Sequence, residues 1–587
     1  MPITVPITQI GGALEYPAPH PLTTQTEDTH PALASPVTES IDRESGSLDK
    51  VVFGVTAALA IGFLLWGFLS TASLGSASDT ALAWSVHTMG WLFVVLATAC
   101  VVFVIWLAAG RFGNIPLGND DEEPEFRTVS WVAMMFSAGM GIGLMFYGVS
   151  EPLSHYMTPP PGTGEAGNSH AVQTAMATTL FHWSLHPWAI YAVVGVAIAY
   201  GVFRKGRSQL MSSAFAPLIG EDRAKGPVGR VIDILAIFAT LFGSAASLGL
   251  GALQIGSGLE IVSGLGKVGN GVLVGVIVVL TLAFILSAVS GVAKGIQWLS
   301  NINMVLALVL ALFVFVFGPT VFILDLIPTA VGSYFENLAM MSARTEAAGG
   351  DGMAEWLSGW TVFYWAWWLS WTPFVGMFIA RISRGRTIRQ FVTGVLLVPS
   401  LVSLVWFVTF GGAAINMQQG GADIAGASSA EGQLFAMLGE LPIATVTSVL
   451  VMLLVAIFFV SGADAASIVM GSLSERGTLE PSKSTVIFWG VATGGVAAVM
   501  LLVGGDSALT GLQNITIVAA LPFAIVMIGL CVALVKDLRN DPMVVRKRYA
   551  AQAVENAVVT GVTLHGDDFA LTVEPADESV LSGGDVR

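Results

Sequence analysis

The sequence predicts an all-α integral membrane protein of twelve transmembrane helices, and three observations carry that prediction. Hydrophobic residues make up 54% of the 587 positions and charged residues only 11%, with a mean hydropathy of +0.76, far too apolar for an ordinary aqueous surface. Runs of roughly 20 apolar residues, the length a helix needs to cross hydrocarbon, recur along the chain. The basic residues then divide by side: with both termini cytoplasmic, 23 of the 25 Lys and Arg residues fall in inside segments and two, Lys267 and Arg344, fall outside. A missed or extra span would invert every later loop, so this asymmetry supports both the count and the orientation.

The twelve runs are approximately 51–70, 88–108, 130–148, 183–203, 231–260, 271–290, 301–319, 356–380, 391–411, 443–462, 485–504 and 512–535. They define a transmembrane domain over 51–535, between an N-terminal tail (1–50) and a C-terminal tail (536–587). Fifty polar residues rich in Pro and Thr precede the first span, without a small-residue cleavage pattern, so it does not read as a signal peptide. Both tails are acidic and read as solvated and disordered. Only VRKRYA, with Arg546, Lys547 and Arg548, offers a patch for anionic lipid headgroups. The short basic loops RISRGRTIRQ and FRKGRSQ anchor topology. Ile327–Ala343 is too polar and short to span, and predicts an amphipathic helix along the outer face. Cys100 and Cys531 both lie in spans and read as small buried residues. Nothing here suggests a soluble catalytic domain or a nucleic-acid surface.

The third span contains AGMGIGLMFYG, where Gly139, Gly141 and Gly143 alternate. Interior glycine costs a helix about 0.5–1 kcal/mol against alanine. Small residues four apart also let two membrane helices pack closely, and Gly139 with Gly143 fits that use. A transporter gains something else from such a run: an interrupted helix frees backbone groups for a substrate or an ion. SEPLSHY follows at once, placing a carboxylate and a proline directly after the span.

Two other spans are dense in aromatics. FHWSLHPWAIY brings Trp183, Trp188 and Tyr191, within about 140° of one another on a regular helix; YWAWWLSW brings Trp365, Trp367, Trp368 and Trp371, of which Trp365, Trp368 and Trp371 form an i, i+3, i+6 ridge. An interfacial belt accounts for one or two of these rings, not seven. Faces of Trp and Tyr attract quaternary ammonium ions, which have no N–H to donate. The spans are nearly free of basic side chains, so a substrate carboxylate has to be met by backbone N–H groups at the positive end of a broken helix. A methylated zwitterion suits both halves. His182 and His186 stand four apart, but no carboxylate or cysteine in the sequence completes a metal set, and packing is the plainer reading. Asp464 reads either as an ion ligand or as a cap or loop partner.

At these residues the sequence resembles the betaine/choline/carnitine transporter family, most closely its bacterial sodium-coupled glycine betaine symporters. AGMGIGLMFYG, FHW…HPWAIY, YWAWWLSWTPFVGMFIARISRGRTIR and SGADAAS match in order over roughly 50–540. The resemblance implies two inverted five-helix repeats (LeuT-like), spans 3–7 and 8–12, after two extra helices. It also implies a homotrimer in the cell inner membrane. It assigns the aromatic box to Trp183, Trp188, Tyr191 and Trp368, with Trp365, Trp367 and Trp371 along the same pathway. The unwound stretch becomes Gly139, Met140, Gly141 and Gly143. Choline-specific members carry aspartate at the last glycine, so Gly143 favours a zwitterion. One sodium site corresponds to the carbonyls of Ser137 and Met140 with Phe458 and Ser461 and, where the family has a second hydroxyl, Gly462; the other corresponds to Thr240, Ser244 and the ring of Phe374. No arginine replaces the sodium, as happens in carnitine exchangers, and where osmotically sensing members often end in a long, strongly basic helix this tail is only briefly basic and then acidic.

The expectation is therefore a secondary transporter, not an enzyme, with sodium as coupling ion, no other cofactor, a small zwitterionic substrate and membrane lipids around it. Its rivals are a sodium-independent exchanger or proton-coupled carrier of carnitine, choline or ectoine, and a membrane sensor or channel.

Overall fold

The computed structural model describes residues 47–139, 141–264, 266–290 and 293–571. Among these residues the elements are helices, with one isolated bridge between Pro116 and Thr387. Numbering those of ten or more residues gives α1 (Lys50–Leu69), α2 (Thr71–Ala109), α3 (Thr128–Gly139), α4 (Ile142–Met157), α5 (Ser169–Trp183), α6 (Leu185–Ala199) and α7 (Pro227–Ser263). Then follow α8 (Asn270–Ser290), α9 (Ala293–Phe317), α10 (Thr320–Ser342), α11 (Gly350–Gly359), α12 (Thr361–Arg381) and α13 (Ile388–Gln419). Last come α14 (Ala444–Ser474), α15 (Lys483–Gly504), α16 (Ala508–Arg539) and α17 (Pro542–His565).

Each of the twelve apolar runs meets helix, but not all as a straight span. Among the described residues, nine helical stretches are long and apolar enough to cross a bilayer, with Ser169–Arg204 counted as one. The seventh run continues into α10 through a bend of 109° at Gly318 and Pro319. The two remaining runs are interrupted, 130–148 between α3 and α4 and 356–380 at Trp360 between α11 and α12. This is a multi-pass membrane protein. Leu65, Val102, Leu286, Val316 and Leu401 are exposed on its helices, where lipid rather than water is the fitting solvent.

The segment expected along the outer face is helical and longer than predicted, because α10 starts at Thr320. Most of the N-terminal tail lies outside the described residues. The C-terminal tail differs from expectation: 542–565 is the helix α17, started by Asp541, whose side chain accepts from Met543 N, and by Pro542 in its first turn. The described residues up to 536 form one compact unit and α17 belongs to another.

The basic loop after α12 is built into the structure. Leu117 N donates to Arg386 O at 2.8 Å and Arg389 Nε to Ala108 O at 2.9 Å. The Arg386 guanidinium lies 4.1 Å from the centre of the Trp131 ring. A capping box between Thr387 and Gln390 then starts α13. At the N-terminus, Asp49 caps α1 by accepting from Val51 N and Val52 N and from Arg230 Nε. Burial acts to raise the Asp49 carboxyl, but these donors outweigh it and hold the group below its ordinary value. Its ionised form therefore stabilises the fold above about pH 4, and that contribution is lost as pH falls further. Asp49→Ala is expected to cost about 1 kcal/mol at neutral pH; thermal unfolding in detergent that shows no loss would remove the cap from this account.

Two glycines set the core crossing. At Gly376 on α12 a Cβ would lie 2.5 Å from Val194 Cγ1 and 3.3 Å from Gly195 N; at Gly195 on α6 it would meet Ile379 and Phe391 below 3.0 Å. The two backbones approach closely because these positions lack side chains. This brings the tryptophan-bearing faces of α6 and α12 together.

Candidate substrate site

The glycine run does break its helix. Helix α3 ends at Gly139, Met140 lies outside the described residues, and Gly141 is extended at φ −170°, ψ −176° before α4 begins. Met145 N donates to Gly141 O at 3.4 Å, so the amides of Ile142, Gly143 and Leu144 precede the intrahelical ladder of α4. They sit at its positive end, beside a cavity. Helix α4 lines that cavity with Gly141 to Leu144, α5 and α6 with Trp183, Pro187, Trp188 and Tyr191, α7 with Ser247, α12 with Trp367, Trp368, Trp371 and Val375, and α13 with Ser403. None of these is charged. A wider groove along α2, from Ser73 to Trp84, is open surface on a single helix and gathers no comparable chemistry.

Several walls stand at steep angles to one another. Trp183 and Trp368 are 4.9 Å apart at 73°, Trp183 and Trp367 6.1 Å at 89°, Trp188 and Tyr191 5.3 Å at 81°, and Tyr191 and Trp368 6.4 Å at 79°. Hydrogen bonds fix them: Trp368 Nε1 donates to His182 O at 3.0 Å, Trp367 Nε1 to Ser247 Oγ at 3.2 Å, and Trp183 Nε1 to Glu151 Oε2 at 2.6 Å. Ser403 Oγ donates to Trp183 O, and Trp406 Nε1 to Leu144 O. Such a cavity can present π faces to a cation and free amides to an anion without any ionic side chain on its wall.

Of the sequence candidates, Trp183, Trp188, Tyr191, Trp367, Trp368 and Trp371 come together here with Gly141 and Gly143. Trp365 does not. It stacks on His186 at 5.0 Å and packs against Phe181 at 5.2 Å, because it lies about 160° around the helix from Trp367, whereas Trp371 and Trp368 fall within about 100° of that residue. Nor are Trp183 and Trp188 on one regular helix: Ser184, at φ −111°, ψ −110°, separates α5 from α6. Gly139 closes α3. Thr240 and Ser244 are buried on α7, where a Cβ at the intervening Gly243 would meet Ser370 and Trp371 of α12; Thr240 Oγ1 donates to Ala236 O, while Ser244 Oγ has no protein hydrogen-bond partner. On α14, Ser461 Oγ donates to Ile457 O and Phe458 O, and a Cβ at Gly462 would meet open space.

Sequence reasoning missed the carboxylate that joins the histidines. His182 is in contact with Glu151 and His155, not with His186 in a metal pair, and the three donor groups lie within 4.8 Å. Glu151 Oε1 is 2.6 Å from His182 Nδ1, a direct hydrogen bond and shorter than the roughly 3.3 Å between two ligands of one tetrahedral ion.

The family model for betaine/carnitine/choline family transporters matches residues 51–543. The chain belongs to that family. This family is one of transporters rather than enzymes. The betaine/ectoine transporter LcoP of Corynebacterium glutamicum is 48% identical over 95% of this chain and 88% of its own length. The glycine betaine transporter OpuD of Bacillus subtilis is 45% identical over 84% of this chain and 96% of its own. A probable glycine betaine transporter of Desulfitobacterium hafniense is 42% identical over 84% and 98%. For this BCCT chain, the aromatic and glycine motifs thus lie inside the matched region.

Proposed function

We propose that this BCCT protein takes up glycine betaine or a related compatible solute with sodium, by alternating access around the tryptophan cavity. One observation carries the reading: uncharged walls of steeply angled indole rings face the open amides at the start of α4. Quaternary ammonium on the rings and carboxylate on the amides is the arrangement that uses both. The names of LcoP and OpuD agree with such a solute.

For sodium, the buried Ser244 hydroxyl without a protein partner, beside Thr240, supports an ion site toward Phe374. The other set joins the break after Ser137 to Phe458 and Ser461 on α14, where Gly462 offers only its backbone. The site in the cell inner membrane, cytoplasmic termini, a homotrimer and two inverted five-helix repeats complete the proposal.

Uptake of labelled betaine into proteoliposomes, with an inward sodium gradient or with potassium instead, tests it. Sodium-driven accumulation is expected. Exchange indifferent to sodium would move the protein to the sodium-independent carriers, and absence of betaine uptake would overturn the substrate. Gly462→Ser adds a hydroxyl where space is free, and is expected to lower the sodium concentration for half-maximal uptake roughly fivefold, the scale of one ordinary polar contact at about 1 kcal/mol. An unchanged sodium dependence would take Gly462 out of the ion site.

A further inference from the structure

Glu151 is completely buried on α4 and does not line the cavity. Its two oxygens nevertheless collect donors belonging to two other helices. Oε2 accepts from Trp183 Nε1 at 2.6 Å and from the Tyr364 hydroxyl. Oε1 meets His182 Nδ1 at 2.6 Å, while His182 Nε2 lies 2.9 Å from Thr361 Oγ1. His155 Nε2 is 3.5 Å from the same Oε1. An indole N–H can only donate, so Glu151 is what fixes the rotation of Trp183. Tyr364, held on the same oxygen, meets Trp183 at 5.4 Å and 70° and stacks on Trp368 at 5.8 Å and 21°. One carboxyl group therefore ties together α4, α5 and α12 behind the cavity, and reaches two of its walls.

We infer that Glu151 is a positioning residue of the transport site, setting through the Trp183 indole and Tyr364 the angle at which the rings receive the cationic end of the substrate. The inference rests on the proposed function for the identity of that substrate. A carboxyl oxygen behind an indole N–H also makes the bond polar in the sense that enriches the ring face, so the group acts on charge as well as on shape. Among the described residues the Trp183 ring has this one hydrogen bond, while its carbonyl accepts from Ser403 Oγ.

The test is a double-mutant cycle between Glu151→Gln and Trp183→Phe in the full-length protein, read in two ways. In proteoliposomes, Glu151→Gln is expected to raise the KM for betaine about tenfold with kcat nearly kept, and to add distinctly less on the Trp183→Phe background, where the N–H is gone and only the Tyr364 link remains. Ultraviolet resonance Raman of the ligand-free protein should show one indole N–H losing a strong acceptor in Glu151→Gln, a difference absent on the Trp183→Phe background. Additive KM effects, or an unchanged indole signal, would overturn the positioning role. If the wild type transports no betaine, the functional reading fails, while the Raman cycle still decides whether Glu151 holds the ring. Should Glu151→Gln not fold, Tyr364→Phe removes a donor to the same oxygen and is expected to raise KM in the same direction; an unaltered KM would likewise overturn the inference.

Discussion

Replacing Gly143 by alanine is expected to lower betaine uptake about a hundredfold, whereas alanine at Gly141 is expected to leave it within about threefold. The two glycines look alike in the sequence and differ in space. A Cβ at 143 would lie 2.7 Å from Trp183 Cη2 and 2.8 Å from Trp367 Cη2. Both rings would have to retreat, yet Trp183 is held by Glu151 and Trp367 by Ser247. Overpacking of this kind costs roughly 1–3 kcal/mol, and an ångström of misplacement at a site is worth about 10² in rate. At Gly141 a Cβ meets nothing within 4 Å, and its extended backbone suits any residue. Uptake by the two variants in proteoliposomes, at matched protein incorporation, checks this; equal activities would mean that the rings do not close over Gly143.

Trp368→Leu is expected to raise the betaine concentration for half-maximal uptake about thirtyfold, on the scale of roughly 2 kcal/mol for a desolvated cation–π contact. Trp368 touches Trp183 at 4.9 Å and Trp367 at 4.5 Å, and is tied to His182 O. Loss of packing alone would also weaken binding, so charge has to be separated from shape. The carba analogue of betaine, with carbon in place of the quaternary nitrogen, has the same outline without the charge. Competition by that analogue should change little between wild type and Trp368→Leu, while competition by betaine falls. Equal losses for both ligands would show that Trp368 fills space and does not read charge. Trp368→Phe keeps a π face but gives up the bond to His182 O, and should fall between the two.

Much of this architecture was legible in the sequence because the bilayer imposes a length and loop charge imposes a side. The runs near 51–70, 231–260 and 485–504 became α1, α7 and α15 with bounds close to the apolar ones. The broken helix was legible too, since alternating glycines have few other uses in a span. What escaped was geometry set by partners distant in the chain. Glu151 meets residues 31 and 213 positions away, and no local pattern announces that. Trp365 was misplaced for a different reason: a ridge at i, i+3, i+6 drifts by 60° per step, so its first member need not face what its last one faces. The break at Ser184 had a signal in Pro187, which fits the first turn of a new helix better than the middle of a continuous one. The bend before α10 had one in the adjoining Gly318 and Pro319. For α17, the acidic stretch that follows from Asp567 concealed a helix whose start is written in Asp541 and Pro542.

The glycine crossing of Gly195 and Gly376 bears on how a gate opens during transport. With their backbones in near contact, α6 and α12 hold the rings they carry against one another, and separating these two helices would undo the crossing. On the proposed transport reading, a gate is therefore expected to open without parting the rings that these two helices carry, by movement of other helices.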